Sequence, residues 1–265
     1  MNNIPETIPA KVPILVARVL SVWMRHFQVY KKNIISNGFP PFIEPLIFLA
    51  GIGLGLGSYV GSIDNVPYLT FLASGIIIPP SMFTAAFECS FGTFIRLEFD
   101  KVYDGMISSS ITVEDLFAGE MLFAATKSLF FASAVLLVVT LFGLIPSPVA
   151  VFAPLVGFLT GLMFASLSLF ITSFVTTINH FNFYFTGLLT PMFFFSGIVF
   201  PLSNLPEAIR PAAEIFPLTH SVRLVRAFCL NSFSWNLLFD LGYIAVFILV
   251  FGFFAIKRLK KRLIR

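Results

Sequence analysis

Apolar residues in this chain come in long unbroken runs, and their spacing decides the class of fold. Runs such as SAVLLVVTLFGL and FAPLVGFLTGLMFASLSLFITSFV lack the period-two alternation of a membrane β-barrel strand. A helix needs roughly 20 mainly apolar residues to cross hydrocarbon, because every backbone polar group must find its partner within the segment. Six stretches meet that demand: 42–60, 68–91, 118–142, 150–175, 182–200 and 236–256. The pattern predicts an all-α polytopic membrane protein with six crossings.

Ahead of the first run, ILVARVLSVWMRHFQVYKK places Arg18, Ser21, Arg25, Gln28 and Lys32 at spacings of three or four. Leu15, Val19, Val22, Trp23, Phe27 and Tyr30 fall mostly on other faces, which predicts a helix along the membrane interface over 12–34. Such a helix either only positions the first crossing or also touches a partner subunit. The first crossing carries GIGLGLG, and Gly51, Gly53, Gly55 and Gly57 give overlapping GxxxG pairs suited to close helix contact, within the subunit or with a second copy. They are no phosphate loop, since no GxxxxGK[ST] occurs in the chain. Pro79 and Pro80 predict a kink in the second crossing, serving a transport path or a plain bend. The first long apolar run starts near residue 42, after a charged region, a poor match to a cleaved secretory signal.

Composition agrees with this reading: 57% of residues are hydrophobic and 11% charged, with a mean hydropathy of +0.93. The net charge of +4 needs no nucleic acid. Basic residues gather at the two ends, at Lys11, Arg18, Arg25, Lys31 and Lys32 and at Lys257, Arg258, Lys260, Lys261, Arg262 and Arg265, so the positive-inside rule makes both termini cytoplasmic. The 94–115 segment then lies in the cytoplasm and 201–235 outside.

RLEFDKVYDGMISSSITVEDLFAGE predicts a helical elbow, with Thr112 and Asp115 capping the next helix and Glu114 and Asp115 meeting its positive end. Glu98, Asp100, Lys101, Asp104, Glu114 and Asp115 read either as a solvated loop or as polar guides around apolar docking knobs at Val102, Tyr103, Met106 and Ile107. Glu44, Glu88, Glu120, Lys127 and Asp240 lie in or near crossings, where charge is costly unless paired or hydrated. Lys127, the deeper one, is a candidate for a helix-to-helix ion pair. Cys89 and Cys229 lack CxxC spacing and read as buried thiols. His26, His180 and His220 build no recognisable metal centre, and neither GxSxG nor HExxH is present.

Taken in order, EPLIFLAGIGLGLGSYVG (44–61), YLTFLASGII (68–77), FAGEMLFAATKSL (117–129), GLMFASLSL (161–169), TPMFFFSGIVFPLSNLP (190–206) and FPLTHSVRLVRAF (216–228) resemble the membrane permease of an ABC-2 type transporter. The likeness covers nearly the whole chain, 1–265, and is nearest the nodulation protein J branch, associated with lipo-oligosaccharide export. The resemblance implies a half-transporter in the bacterial inner membrane that pairs with a second permease copy and two separate ATPase subunits. ATP and Mg belong to those partners, and this chain holds no cofactor and no catalytic residue.

Coupling to the ATPases then falls to Arg25 on the interface helix and to Glu98, Asp100, Val102, Tyr103, Met106, Glu114 and Asp115 on the elbow. The family's glycine-rich start of the first span matches Gly51, Gly53, Gly55 and Gly57, and its acidic residue at a helix start matches Glu120. An exit gate would use Pro201, Pro206, Glu207, Pro217, Arg223 and Arg226 in short helices that partly return toward the bilayer. The cargo implied is an amphiphilic lipid or glycolipid, handled in contact with membrane lipids. A multidrug, antibiotic or other lipid exporter, and a membrane assembly or scaffold protein, are the competing readings.

Overall fold

The computed structural model describes residues 14–63 and 65–263. Lys11, Arg265 and positions 12 and 13 of the expected interface helix lie outside the described residues. The amphipathic pattern becomes a helix at Leu15–Lys32. Five helical runs are long and apolar enough to cross a bilayer among the described residues: Ile34–Val60, Tyr68–Phe99, Val113–Leu141, Pro148–Thr172 and Asn236–Leu263. They are called the first to fourth and the last long helix below.

The remaining expected crossing, 182–200, corresponds to a helical run over 178–195 that changes winding three times, from a tight first turn through a regular turn to a wide one at Phe185–Leu189 and back to regular winding at Thr190–Phe195. Asn179, His180 and Asn182 make its start polar, and Gly197 with a φ of 80° ends its course just beyond.

The second and fourth long helices form the centre, while the first and last turn much of their apolar surface outward. Small residues allow the close approaches that membrane packing relies on. Ser81 and Ser128 exchange hydroxyl-to-carbonyl hydrogen bonds of 2.9 Å between the second and third long helices. A side chain at Gly161 would collide with Ser128, its Cβ lying 2.6 Å from that residue's Cβ.

The second long helix is interrupted where its prolines fall. Regular winding stops at Gly75 and resumes at Pro79, because neither Pro79 nor Pro80 can donate the backbone hydrogen bond that would bridge the gap. Lower down it widens at Glu88–Gly92 and again at Ile95–Phe99. Wide turns of this kind commonly mark functional positions, and these two carry Glu88 and Arg96.

Between the long helices, Ser62–Ile63 pairs antiparallel with Val66–Pro67. The elbow is a short helix at Val102–Ile107, entered through Lys101 in the left-handed conformation at φ 51°. Outside the 178–195 run stand two further helices, Arg210–Ile215 and Pro217–Leu230, the second ended by a left-handed Asn231. Cys89 and Cys229 are both buried and free.

Candidate functional site

Capping sets the first piece of the site. Thr112 Oγ1 accepts from the Asp115 backbone N–H at 3.2 Å, and Asp115 Oδ2 accepts from the Thr112 N–H at 3.0 Å, which fixes the start of the third long helix. The same carboxylate receives Arg18 of the amphipathic helix at 2.7 Å. Further along, Val22 packs where Gly119 leaves no side chain, since a Cβ there would lie 2.6 Å from that of Val22. Trp23 Nε1 donates to Thr126 Oγ1 at 3.1 Å. The amphipathic helix is thus seated along one stripe of the third long helix, with Leu15, Val16 and Leu20 left facing outward.

Glu120 lies on that stripe, two turns inside the helix and 1% exposed. Four side chains from three other elements converge on it. Thr93 Oγ1 donates to Oε2 at 2.5 Å, Arg96 Nε lies 3.1 Å from Oε1, His26 Nε2 of the amphipathic helix lies 3.3 Å from Oε1, and the Tyr103 hydroxyl of the elbow donates to Oε1. Arg96 also donates to Glu88 Oε1 at 2.9 Å, and Lys127 Nζ donates to Glu88 Oε2 at 3.1 Å. A buried carboxylate is tolerated only when its charge is matched and its lone pairs are filled. Here both Glu88 and Glu120 meet that condition, and they do so by joining the amphipathic helix, the second and third long helices and the elbow.

The elbow's side chains divide sharply. Tyr103 is fully buried, whereas Val102 and Met106 are half-buried against the core and Asp104 is exposed. Burial pushes the Tyr103 phenol well above its ordinary pKa, and the neighbouring Glu120 carboxylate adds to the shift, so the group stays a donor. The acidic residues expected to guide docking have partners inside the chain. Glu98 pairs with Arg262 at 2.8 Å, and Glu114 with Lys260 at 2.5 Å, which ties the end of the last long helix to both sides of the elbow. Asp100 is exposed, and Arg25 is half-buried with no partner among the described residues.

Glycines of the first long helix split into two sets. Gly53 is buried and faces Leu69, and Gly57 faces Tyr68, whereas a side chain at Gly51 or Gly55 would meet nothing within 4 Å. Glu44 is exposed on the same helix.

A second polar cluster sits at the opposite end of the molecule. Asp240, 1% exposed at the start of the last long helix, accepts from Arg223 at 2.6 Å and lies 2.6 Å from His220 Nδ1. Arg223 reaches Glu214 as well, at 2.6 Å. Arg226 points the other way, into the protein. Its guanidinium stacks 3.8 Å over the Phe71 ring and lies 3.5 Å from the carbonyls of Phe71 and Ile198, one turn before the proline break. Pro217 is buried at the first position of its helix, where a missing N–H costs nothing, while Pro206 and Glu207 are exposed and Pro201 is half-buried.

The sequence reading missed Glu88, Thr93, Arg96, His26, His220 and Asp240 as members of shared networks. Their one signal was charge or polarity in an apolar setting, which demands a partner without naming it. No group of three or more His, Cys, Asp or Glu side chains among the described residues is placed to hold a metal ion.

Comparison with known proteins decides the class. The family model for the ABC-2 type transporter matches residues 17–230, a stretch that takes in most of the amphipathic helix, Glu88 and Glu120, the elbow and the outer helices. The chain belongs to the ABC-2 type transporter family. It is 34% identical over 245 residues to Nodulation protein J of Sinorhizobium fredii, covering 92% of this chain and 94% of that one. With Nodulation protein J of Rhizobium leguminosarum bv. viciae it shares 34% over 246 residues, 93% of this chain and 95% of the other. It is also 22% identical over 233 residues to the inner membrane transport permease YadH of Escherichia coli, covering 87% and 90%. Within the ABC-2 family this chain is the permease component of an exporter, a transmembrane part without nucleotide-binding motifs.

Proposed function

We propose that this ABC-2 permease forms half of an ATP-driven export path in a bacterial inner membrane. It pairs with a second copy of itself, crosses the bilayer six times with the 178–195 run as the fifth crossing, and keeps both termini in the cytoplasm. Two separate ATPase subunits bind ATP and Mg and dock beneath the amphipathic helix and the elbow. The cargo is an amphiphile, a lipo-oligosaccharide or related glycolipid, the class implied by likeness to the nodulation protein J branch.

The observation that carries this reading is the convergence on Glu120 of His26 from the amphipathic helix and Tyr103 from the elbow. Both elements lie on the side of the termini, and both end on one buried group of the third long helix. A push from an ATPase against either therefore reaches a membrane helix through hydrogen bonds and ion pairs in a poorly hydrated setting, where such contacts are stiff. Asp100, Val102 and Met106 supply the outward surface of that contact. Glu98, Glu114 and Asp115 act from behind, holding the elbow to Arg262, Lys260 and Arg18. At the far end, the helix Pro217–Leu230 gates the exit, held to the proline break by Arg226 and to the last long helix by Arg223.

Purification in mild detergent with the native partner, followed by reconstitution, tests the reading. A stoichiometric ATPase should be recovered, and extracted envelope glycolipids should move across the bilayer only with ATP. Absence of an ATPase under conditions that preserve the complex, or movement driven by an ion gradient without ATP, would overturn it.

A further inference from the structure

A groove runs between the N-terminal helices and the second and third long helices, and its two ends differ in chemistry. One end, a cavity of about 430 Å³, is walled by aromatic and proline side chains, among them Phe48, Phe83, Phe87, Phe131 and Phe193. The other, about 320 Å³, lies toward the termini and is walled by Arg25, Tyr30, Asn33, Arg96 and Asp100. Lys127 lines both. Phe123, Lys127 and Phe131 follow one another at four-residue steps along one stripe of the third long helix, about 12 Å of rise. On the second long helix the change of chemistry falls between neighbours, Phe87 on the apolar side and Glu88 on the polar side. The two cavities thus adjoin at Lys127 and at the Phe87–Glu88 step, and each lies within the roughly 300–1,000 Å³ of small-molecule sites.

The polar half has donors to spare. Glu88 satisfies Lys127 and part of Arg96, and Glu120 takes the rest of Arg96. Arg25 has no partner among the described residues, and the buried Tyr30 hydroxyl has no hydrogen-bond partner. Of the lining cations, Lys127 pairs with Glu88 and Arg96 is shared between Glu88 and Glu120, so Arg25 is the one left without a carboxylate among the described residues. On the apolar half stands Glu44, which disfavours a second anionic group along the tail.

We propose that this groove binds an anionic lipid drawn from the leaflet on the side of the termini. Its acyl chain lies among Phe83, Phe87, Phe131 and Phe193, and its anionic head meets Arg25 and the Tyr30 hydroxyl. The site is independent of which cargo is exported and rests on the proposed orientation only in making that leaflet the cytoplasmic one.

The test uses the permease with its ATPase partner in phosphatidylcholine nanodiscs, with two photoactivatable probes that share an acyl chain, one a phosphatidic acid and one a phosphocholine. The phosphatidic acid should label 76–87 and 127–131 in preference to other lipid-facing segments. Arg25→Gln should lower that labelling about tenfold, the loss expected for one charge-assisted hydrogen bond, and leave the phosphocholine signal unchanged. Ser36→Trp, at an exposed position lining the apolar half, should block labelling without altering assembly. Equal labelling by both probes, labelling spread evenly over the lipid-facing surface, or indifference to Arg25→Gln would overturn the site. ATP-driven glycolipid movement, measured on the same nanodisc-derived protein after transfer to vesicles, separates the two ideas: export that persists while all labelling is unspecific rejects the groove and keeps the exporter.

Discussion

The Tyr103 hydroxyl donates to the Glu120 carboxylate, which ties a six-residue helix outside the long helices to the second turn of a membrane-length one. The left-handed turn at Lys101 makes this reach possible by reversing the chain after the second long helix. Elbow, amphipathic helix and second long helix therefore share one buried acceptor, and a change in any of them is felt by the others.

Neutralising that acceptor should be costly. Glu120→Gln leaves Arg96 short of a carboxylate in a buried setting, and truncating one partner of such a pair typically costs about 3–5 kcal/mol. Thermal denaturation of the reconstituted complex should show a clear drop in midpoint, larger than for a change at exposed Asp104. An unchanged midpoint would show that Glu120 is not the hub described here.

Glu88 and Lys127 should be energetically coupled. Glu88→Gln leaves Lys127 and Arg96 sharing too little negative charge, whereas adding Lys127→Met removes part of the excess. A double-mutant cycle on stability should therefore give a coupling energy of about 0.5–3 kcal/mol, with the double variant less impaired than the sum of the singles. Strict additivity would mean the 3.1 Å pair contributes nothing.

Glycines with and without neighbours should behave oppositely. Gly119→Val collides with Val22 and with the Val19 carbonyl, 2.9 Å from a Cβ at that site, so it should displace the amphipathic helix and reduce recovery of the ATPase in pull-downs. Gly51→Ala and Gly55→Ala meet nothing within the subunit and should leave the monomer's stability intact. A change in the dimer fraction on native gels, in those two variants alone, would assign that face to contact between copies.

Arg226 should hold the outer helix shut. Arg226→Lys keeps the charge but loses the planar group that stacks on Phe71 and reaches two carbonyls. Cys229, one turn on and fully buried, offers a native reporter. Its reaction with a membrane-impermeant maleimide added outside should be slow in the natural protein and faster in the variant, with assembly and ATP turnover retained. Equal rates would detach Arg226 from gating.

Local features of the site were legible in the sequence, and pairings across it were not. Thr112 and Asp115 announce a helix start through a three-residue spacing, and Pro79–Pro80 announce a break through missing donors, so each needs only its neighbours to be read. Lys127 could be read as needing an ion pair, because charge within hydrocarbon demands one, but Glu88 could not be named as its partner. Glu98 and Glu114 looked like docking acids because Arg262 and Lys260 stand 164 and 146 residues away. Tyr103 looked like an exposed knob because its burial depends on the reversal at Lys101, a backbone state that lysine identity does not signal. The 182–200 run shows the limit of apolar counting, since its helical course lies over 178–195 with a wide turn at Phe185–Leu189 and a left-handed Gly197 just beyond, features that hydropathy does not register.

The most direct test of the account is the number of glycolipid molecules moved per ATP hydrolysed, measured in vesicles containing the permease with its ATPase, with and without Tyr103→Phe. Losing one hydrogen bond to a buried carboxylate should leave the complex assembled and ATP turnover close to the natural level, yet lower the ratio severalfold, because the elbow then moves without carrying Glu120 with it. A ratio unchanged by Tyr103→Phe, with assembly and turnover intact, would contradict the claim that force reaches the membrane path through this contact.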